Sequence, residues 1–139
     1  MDKKIINKLF KLADKSLKLN EFPVSAIIYK DDKIISCGYN NRNKKNLTIN
    51  HAEIIAITKA NKKVNNWNLS NMRMIVTLEP CEMCKKVINE ARIQKVDYLV
   101  PRYDFKKTYK RTLYQKMDLE DGELDKYLYN IKNFFTDKR

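Results

Sequence analysis

The apolar residues Ile5, Ile6, Leu9, Leu12, Ala13 and Leu17 recur at three- and four-residue spacing, which predicts an amphipathic helix over about residues 3–19. Phe22 to Tyr29 is nearly all apolar and reads as a strand buried on both faces. The polar turn Lys30-Asp31-Asp32-Lys33 returns the chain into a second, antiparallel strand from Ile34 to Tyr39. Residues 40–50 are polar and irregular. A helix is expected from about His51 to Lys62, with Asn50 as its N-cap. A strand from Arg73 to Thr77 follows, then a helix from near Cys81 to near Arg92 with Pro80 at its start, then a strand from Val96 to Val100. Strand, helix, strand in that order predicts a right-handed parallel crossover. Leu124, Tyr127, Leu128, Ile131, Phe134 and Phe135 place one apolar face on a last helix. With no repeat, low-complexity tract or linker, residues 1–139 read as one domain. The pattern is that of an α/β fold, a three-layer α/β/α sandwich around a mixed sheet.

Composition changes the picture in three ways. A chain 43% hydrophobic and 33% charged is neither a disordered tail nor a linker. Lys and Arg number 29 against 17 acidic residues, a net charge of +12. Such a surface attracts polyanions through counterion release, although Lys-, Asn- and Ile-rich composition is also the habit of AT-rich genomes. Glycine occurs only as Gly38 and Gly122, so no phosphate-cradling glycine loop is available. No apolar run approaches the roughly 20 residues that cross a bilayer, and the N-terminus lacks an apolar signal core. A soluble, cytoplasmic protein with no membrane partner is expected.

The candidate chemistry lies at two helix starts. His51-Ala52-Glu53 opens one and Pro80-Cys81-Glu82-Met83-Cys84 opens the other. Cys81 and Cys84 are three apart and share a face of the first turn, where partial positive charge favours thiolate over thiol. With His51 they make three ligands for a tetrahedral zinc ion, leaving the fourth position to water, as in a catalytic site. Zinc lowers the pKa of bound water from 15.7 to about 7, and Glu53 is placed to carry its proton. Two rivals stand beside this reading. The C-x-x-C could be a redox pair, which leaves His-Ala-Glu without a role. Cys37 could join the other three in a closed Cys₃His site, making the protein a non-catalytic, zinc-stapled RNA-binding module. Cys37 lies in an apolar strand, where a small core residue is the plainer role.

The spacing H-x-E followed by P-C-x-x-C, with the glutamate off the metal, is the signature of zinc nucleobase deaminases. His51-Ala52-Glu53-Ile54 and Thr77-Leu78-Glu79-Pro80-Cys81-Glu82-Met83-Cys84 resemble the bacterial tRNA-specific adenosine deaminase family, within the cytidine/deoxycytidylate deaminase superfamily. Glu21 to Ala26 is similar to that family's first strand, and the resemblance covers about residues 5–104 and the last helix. It implies a cytidine-deaminase-like fold and a hydrolase that converts the wobble adenosine of a tRNA anticodon loop to inosine, with one zinc ion per chain in a homodimer. It further implies that Glu53 is catalytic, that Asn40, eleven residues before His51, contacts the base, and that Val24 and Leu78 wall the pocket.

Two stretches depart from the family. Leu47-Thr48-Ile49-Asn50 replaces its Asp-Pro-Thr-Ala, and the glycine-poor stretch after Asp104 is shortened. That stretch carries Lys106, Lys107, Lys110 and Arg111 among Phe105, Tyr109 and Tyr114. Cations for phosphates and rings for stacking suit single-stranded RNA, while a solvated basic loop suits them equally. The alternative within the enzyme class is a deaminase of a free base or nucleotide, guanine or cytosine.

Overall fold

The computed structural model describes residues 2–102 and 113–137. The chain divides into two compact units, Met1–Lys106 and Lys107–Arg139. In the first, helix α1 (Lys3–Lys18) leads into strands β1 (Ser25–Lys30) and β2 (Lys33–Tyr39). A short helix α2 (Arg42–Lys45), helix α3 (Ala52–Val64), strand β3 (Arg73–Leu78), helix α4 (Glu82–Glu90) and strand β4 (Lys95–Val100) follow. The second unit holds α5 (Asp125–Asp137), the expected last helix, on which Tyr127, Leu128 and Ile131 are exposed. No helix among the described residues is long and apolar enough to cross a membrane.

The sheet runs β2-β1-β3-β4. β1 is antiparallel to both β2 and β3, and β3 is parallel to β4, so the sheet is mixed as expected. The β1–β2 turn takes Asp31 and Asp32 at φ 49° and 63°, the two left-handed positions of a two-residue hairpin. Alternation along the strands divides the core. Ile27, Tyr29 and Ile75 meet Ile5, Leu9 and Leu12 of α1 on one face. Ala26, Ile28, Met74 and Val76 meet Ala52, Ala56, Ile57 and Ala60 of α3 and Ile88 of α4 on the other. This is the three-layer α/β/α sandwich. A 16-residue helix is marginal in water by itself. Burying Ile5, Leu9 and Leu12, at about 1.5–3 kcal/mol each, is what holds α1 in place.

Local details depart from the sequence reading. β1 begins at Ser25 rather than Phe22, since Pro23 has no N–H to give a ladder and Val24 N bonds back to Phe22 O at 2.8 Å. The irregular stretch holds α2, whose first amides, Asn43 N and Lys44 N, donate to the Glu21 carboxylate. Asn50 is not the cap of α3. His51 occupies that position, and the Asn50 side chain donates to Asn41 Oδ1 at 2.9 Å. Cys81, not Pro80, stands at the start of α4.

Gly38 fixes how closely α3 lies on the sheet. A Cβ there would sit 2.3 Å from Ala52 O and 2.9 Å from Ala56 N, both backbone atoms that cannot swing aside. The buried Ala52 and Ala56 keep the facing helix equally slim, and Ser36 Oγ ties the pair by donating to Ala56 O at 2.6 Å. Gly38→Ala is expected to destabilise the fold by about 1–3 kcal/mol, the usual range for overpacking, or more if α3 cannot shift. Urea denaturation measures it, and a loss below 0.5 kcal/mol, the ordinary range of a surface change, would mean the approach is slack.

Candidate metal centre and active site

Two strands feed the site through two helix starts. β2 ends at Tyr39, and the loop after it returns to His51 at the head of α3. β3 ends at Leu78, and Glu79-Pro80 carries the chain to Cys81 at the head of α4. His51 and Cys81 both have extended backbone at their cap positions, so each side chain stands at the mouth of its helix. His51 Nδ1 lies 3.7 Å from Cys81 Sγ and 3.4 Å from Cys84 Sγ. All three donor atoms are within 4.8 Å of one another.

That spacing fits zinc. Bonds of about 2.3 Å to sulfur and 2.0–2.1 Å to nitrogen at a tetrahedral angle put the S···N edge at about 3.5 Å. The protonation of the sulfurs points the same way. The Cys81 thiol is pushed down to about 3, first by the hydrogen bond from Cys84, with His51 contributing. The Cys84 thiol is pushed up, first by that same bond and then by burial and the neighbouring Glu53 charge. A thiolate at Cys81 beside the Cys84 sulfur and the His51 nitrogen is a donor set that would suit a divalent zinc ion. Cys37 is not in the cluster. It pairs with Ile27 in the sheet and packs with the α1-side core, on the face away from α3 and α4. The closed Cys₃His arrangement is therefore not formed.

Glu53, on the first turn of α3, is 2% exposed. Its carboxyl pKa is raised, first by burial, and its side chain hydrogen-bonds Cys84. A buried carboxyl poised beside the donor cluster is what proton transfer at neutral pH requires. Asn40 holds the head of α3: its Oδ1 accepts from Ala52 N at 2.8 Å, while Ser16 Oγ and Val24 O fix its backbone. The Asn40 amide therefore points in one fixed sense, and its NH₂ has no partner among the described residues. Val24 and Leu78 are buried members of the larger core cluster beneath the site. Lys106, Lys107, Lys110 and Arg111 lie outside the described residues.

Sequence reasoning passed over Glu79. Its carboxylate accepts from Lys85 Nζ at 3.0 Å and from Arg102 N at 3.2 Å, and its carbonyl accepts from Arg102 Nε at 2.9 Å. These bonds, the Lys85 one foremost, lower its pKa. They fasten the segment that delivers Cys81. The six-residue separation of Glu79 and Lys85 is no helical spacing, so the sequence carried no signal for the pair.

The model of the cytidine and deoxycytidylate deaminase zinc-binding region matches residues 1–100. A tRNA-specific adenosine deaminase of Streptococcus pyogenes serotype M18 is 46% identical over 88 residues, 63% of this chain and 55% of its own length. The chain thus spans about half the length of the Streptococcus pyogenes relatives it matches. Among solved structures, guanine deaminase from Bacillus subtilis superposes with a TM-score of 0.78 at 26% identity, over 95% of each chain. A structure from work on A-to-I editing by tRNA deaminases at the wobble position superposes with a TM-score of 0.69 at 28% identity, over 72% of each chain.

Proposed function

The chain belongs to the cytidine and deoxycytidylate deaminase family, and from that premise we propose that it hydrolyses adenosine to inosine at the wobble position of a tRNA anticodon, releasing ammonia. The observation that carries the reading is the buried Glu53 carboxyl beside the His51, Cys81 and Cys84 donors. Bound zinc supplies Lewis acidity that brings the pKa of water down to about 7. His51 Nδ1 and the sulfurs of Cys81 and Cys84 would hold the ion. Glu53 takes the proton of the attacking water and delivers it to N1 of the adenine ring. It then takes the remaining proton from the new hydroxyl on C6 and passes it to the C6 amino group, so that the C6–N bond breaks, ammonia departs and the C6 carbonyl forms. Adenosine plus water thus becomes inosine plus ammonia, with the carboxylate restored.

The Asn40 NH₂ group donates to an acceptor on the base, and Val24 and Leu78 back the pocket. Lys106, Lys107, Lys110 and Arg111 hold the phosphates of the anticodon loop. An anticodon nucleotide is already unpaired, so turning it into the pocket costs less than the few kcal/mol of extrusion from a duplex. The same reading takes residues 1–139 as one deaminase domain, working in the cytoplasm as a homodimer. The tRNA relatives and the +12 charge support RNA over a free base.

Guanine is the second reading. The superposition on guanine deaminase extends over 95% of this chain, that on the tRNA-editing structure over 72%. Product analysis separates the two. Zinc-loaded protein is incubated in parallel with unmodified tRNA and with free guanine, adenine and cytosine. Inosine in the digested tRNA, with the free bases unchanged, is the expected result. Xanthine from guanine with tRNA untouched would overturn the RNA assignment.

A further inference from the structure

The exposed face of α1 carries a row of cations with no chemical role in deamination. Lys4, Lys8, Lys11, Lys15 and Lys18 follow one another at four- and three-residue steps, so they form a single stripe along the helix, and all are exposed. The steps place successive charges about 4.5–6 Å apart along the axis. Lys4, Asn7, Lys8, Lys11, Leu12 and Lys15 line an open groove of about 460 Å³. None of these lysines has a carboxylate within ion-pair distance among the described residues.

Helix stability does not account for the row. Like charges at these spacings oppose helix formation. The Asp2 carboxylate caps the helix by accepting from Lys4 N at 2.9 Å, but the first turn itself has no acidic residue and holds Lys3 and Lys4. Only Lys15 and Lys18, in the last turn, sit favourably.

A second helix reaches the same place from the other side of the sheet. β2 is an edge strand, with α1 on one face and α3 on the other. Burial raises the thiol pKa of Cys37 on that strand, and the charges of Lys8, Lys59, Lys63 and Lys15 partly offset it. Lys59 and Lys63 are exposed on α3. Cations from both outer layers therefore converge on one sheet edge. Lys63 lies ten residues along α3 from Glu53, about 15 Å by helical rise. That separation is more than one nucleotide and well within the reach of an RNA whose target base is in the pocket.

We propose that Lys4, Lys8, Lys11 and Lys15 of α1, with Lys59 and Lys63 of α3, form a docking surface for the phosphate backbone of the tRNA substrate, outside the anticodon nucleotide being modified. The inference deepens the tRNA reading and rests on it. Each phosphate neutralised contributes roughly −0.7 to −0.9 to the slope of log K against log salt, and is then worth about fourfold to fivefold at about 0.15 M salt.

The test is tRNA binding by fluorescence anisotropy across a salt series. It compares the parent protein with K8Q/K11Q/K15Q, with K59Q/K63Q, and with K86Q/K126Q/K132Q, which removes three charges elsewhere. Circular dichroism checks that α1 persists, as glutamine has nearly the helix propensity of lysine. The α1 variant is expected to flatten the slope by about 2–3 and to weaken binding on the order of 50-fold at about 0.15 M salt. The α3 variant flattens it by about 1–2, and the control keeps the parent slope. A slope unchanged in both patch variants, or flattened equally in the control, overturns the docking surface while leaving the tRNA reading standing. No salt-dependent tRNA binding by the parent protein overturns both. Binding to vesicles of anionic lipid, with none to tRNA, assigns the stripe to a membrane surface and overturns it as well.

Discussion

Glu53→Gln is expected to lower turnover by about 10²–10⁴-fold or more while zinc stays bound at one ion per chain. A positioned acid/base group is typically worth that much, and the proposed cycle uses Glu53 for more than one proton. Glutamine keeps the size of the buried side chain and removes only its ability to exchange a proton. The effect on stability should run the other way. Burial raises the Glu53 pKa in the folded state. Its contribution to stability is thus fully present below the unfolded value of about 4.3 and is lost as pH rises through the folded value. At neutral pH the carboxyl is a burden that glutamine lacks, so the metal-free variant should unfold no earlier than the metal-free parent. Single-turnover kinetics, zinc content and thermal unfolding in chelator check the three parts. Near-normal turnover in the glutamine variant would remove Glu53 from the chemistry.

Residues whose partners lie close in sequence, or whose chemistry is paired with a fixed spacing, were readable without coordinates. The α1 periodicity, the two-residue turn at Asp31-Asp32, and the coupling of His51-Ala52-Glu53 with Cys81 and Cys84 all belong to this class. The sites that escaped depend on contacts across the fold. Asn50 has the right side chain and position for a cap. His51 nevertheless stands at the cap position of α3, and the side-chain bond to its first amide comes from Asn40, just past β2, whose Oδ1 accepts from Ala52 N and leaves Asn50 to Asn41. The family resemblance implies a base contact for Asn40, and the structure shows a structural duty that the sequence did not signal. Its amide oxygen braces the helix that carries His51 and Glu53.

Gly38 and Glu79 show the same limit. Gly38 is legible as a glycine, but its necessity comes from Ala52 O, fourteen residues away, lying where a Cβ would be. Glu79 looks like part of a motif run, and its bonds to Lys85 and Arg102 are what fasten the approach to Cys81. Between them, Gly38 and Asn40 set the head of α3 and Glu79 sets the head of α4. The 3.4 and 3.7 Å separations at His51 Nδ1 are the joint outcome of those two placements.

Cys84→Ser should abolish zinc binding and lower the melting temperature by on the order of 10 °C. The argument is linkage. A metal that binds only the folded chain stabilises it by about 4 kcal/mol when free zinc exceeds its Kd about a thousandfold, and each kcal/mol moves the midpoint of a domain this size by a few degrees. The serine hydroxyl is a poor substitute, because zinc takes the thiolate and a hydroxyl does not ionise in this range. Cys84 is also fully buried, so some packing is lost with the sulfur. Chelator separates the two effects: metal-free parent and variant differ by packing alone, and the remainder is the zinc. The pH dependence follows from the same thiols. Zinc takes the sulfurs as thiolates, so zinc affinity falls as pH falls, with protons competing for the sulfurs. Cys37→Ser, on the opposite face of the sheet, should keep its zinc at every pH where the parent does. Zinc retained by Cys84→Ser, or lost by Cys37→Ser, would show that the ligand set is wrong.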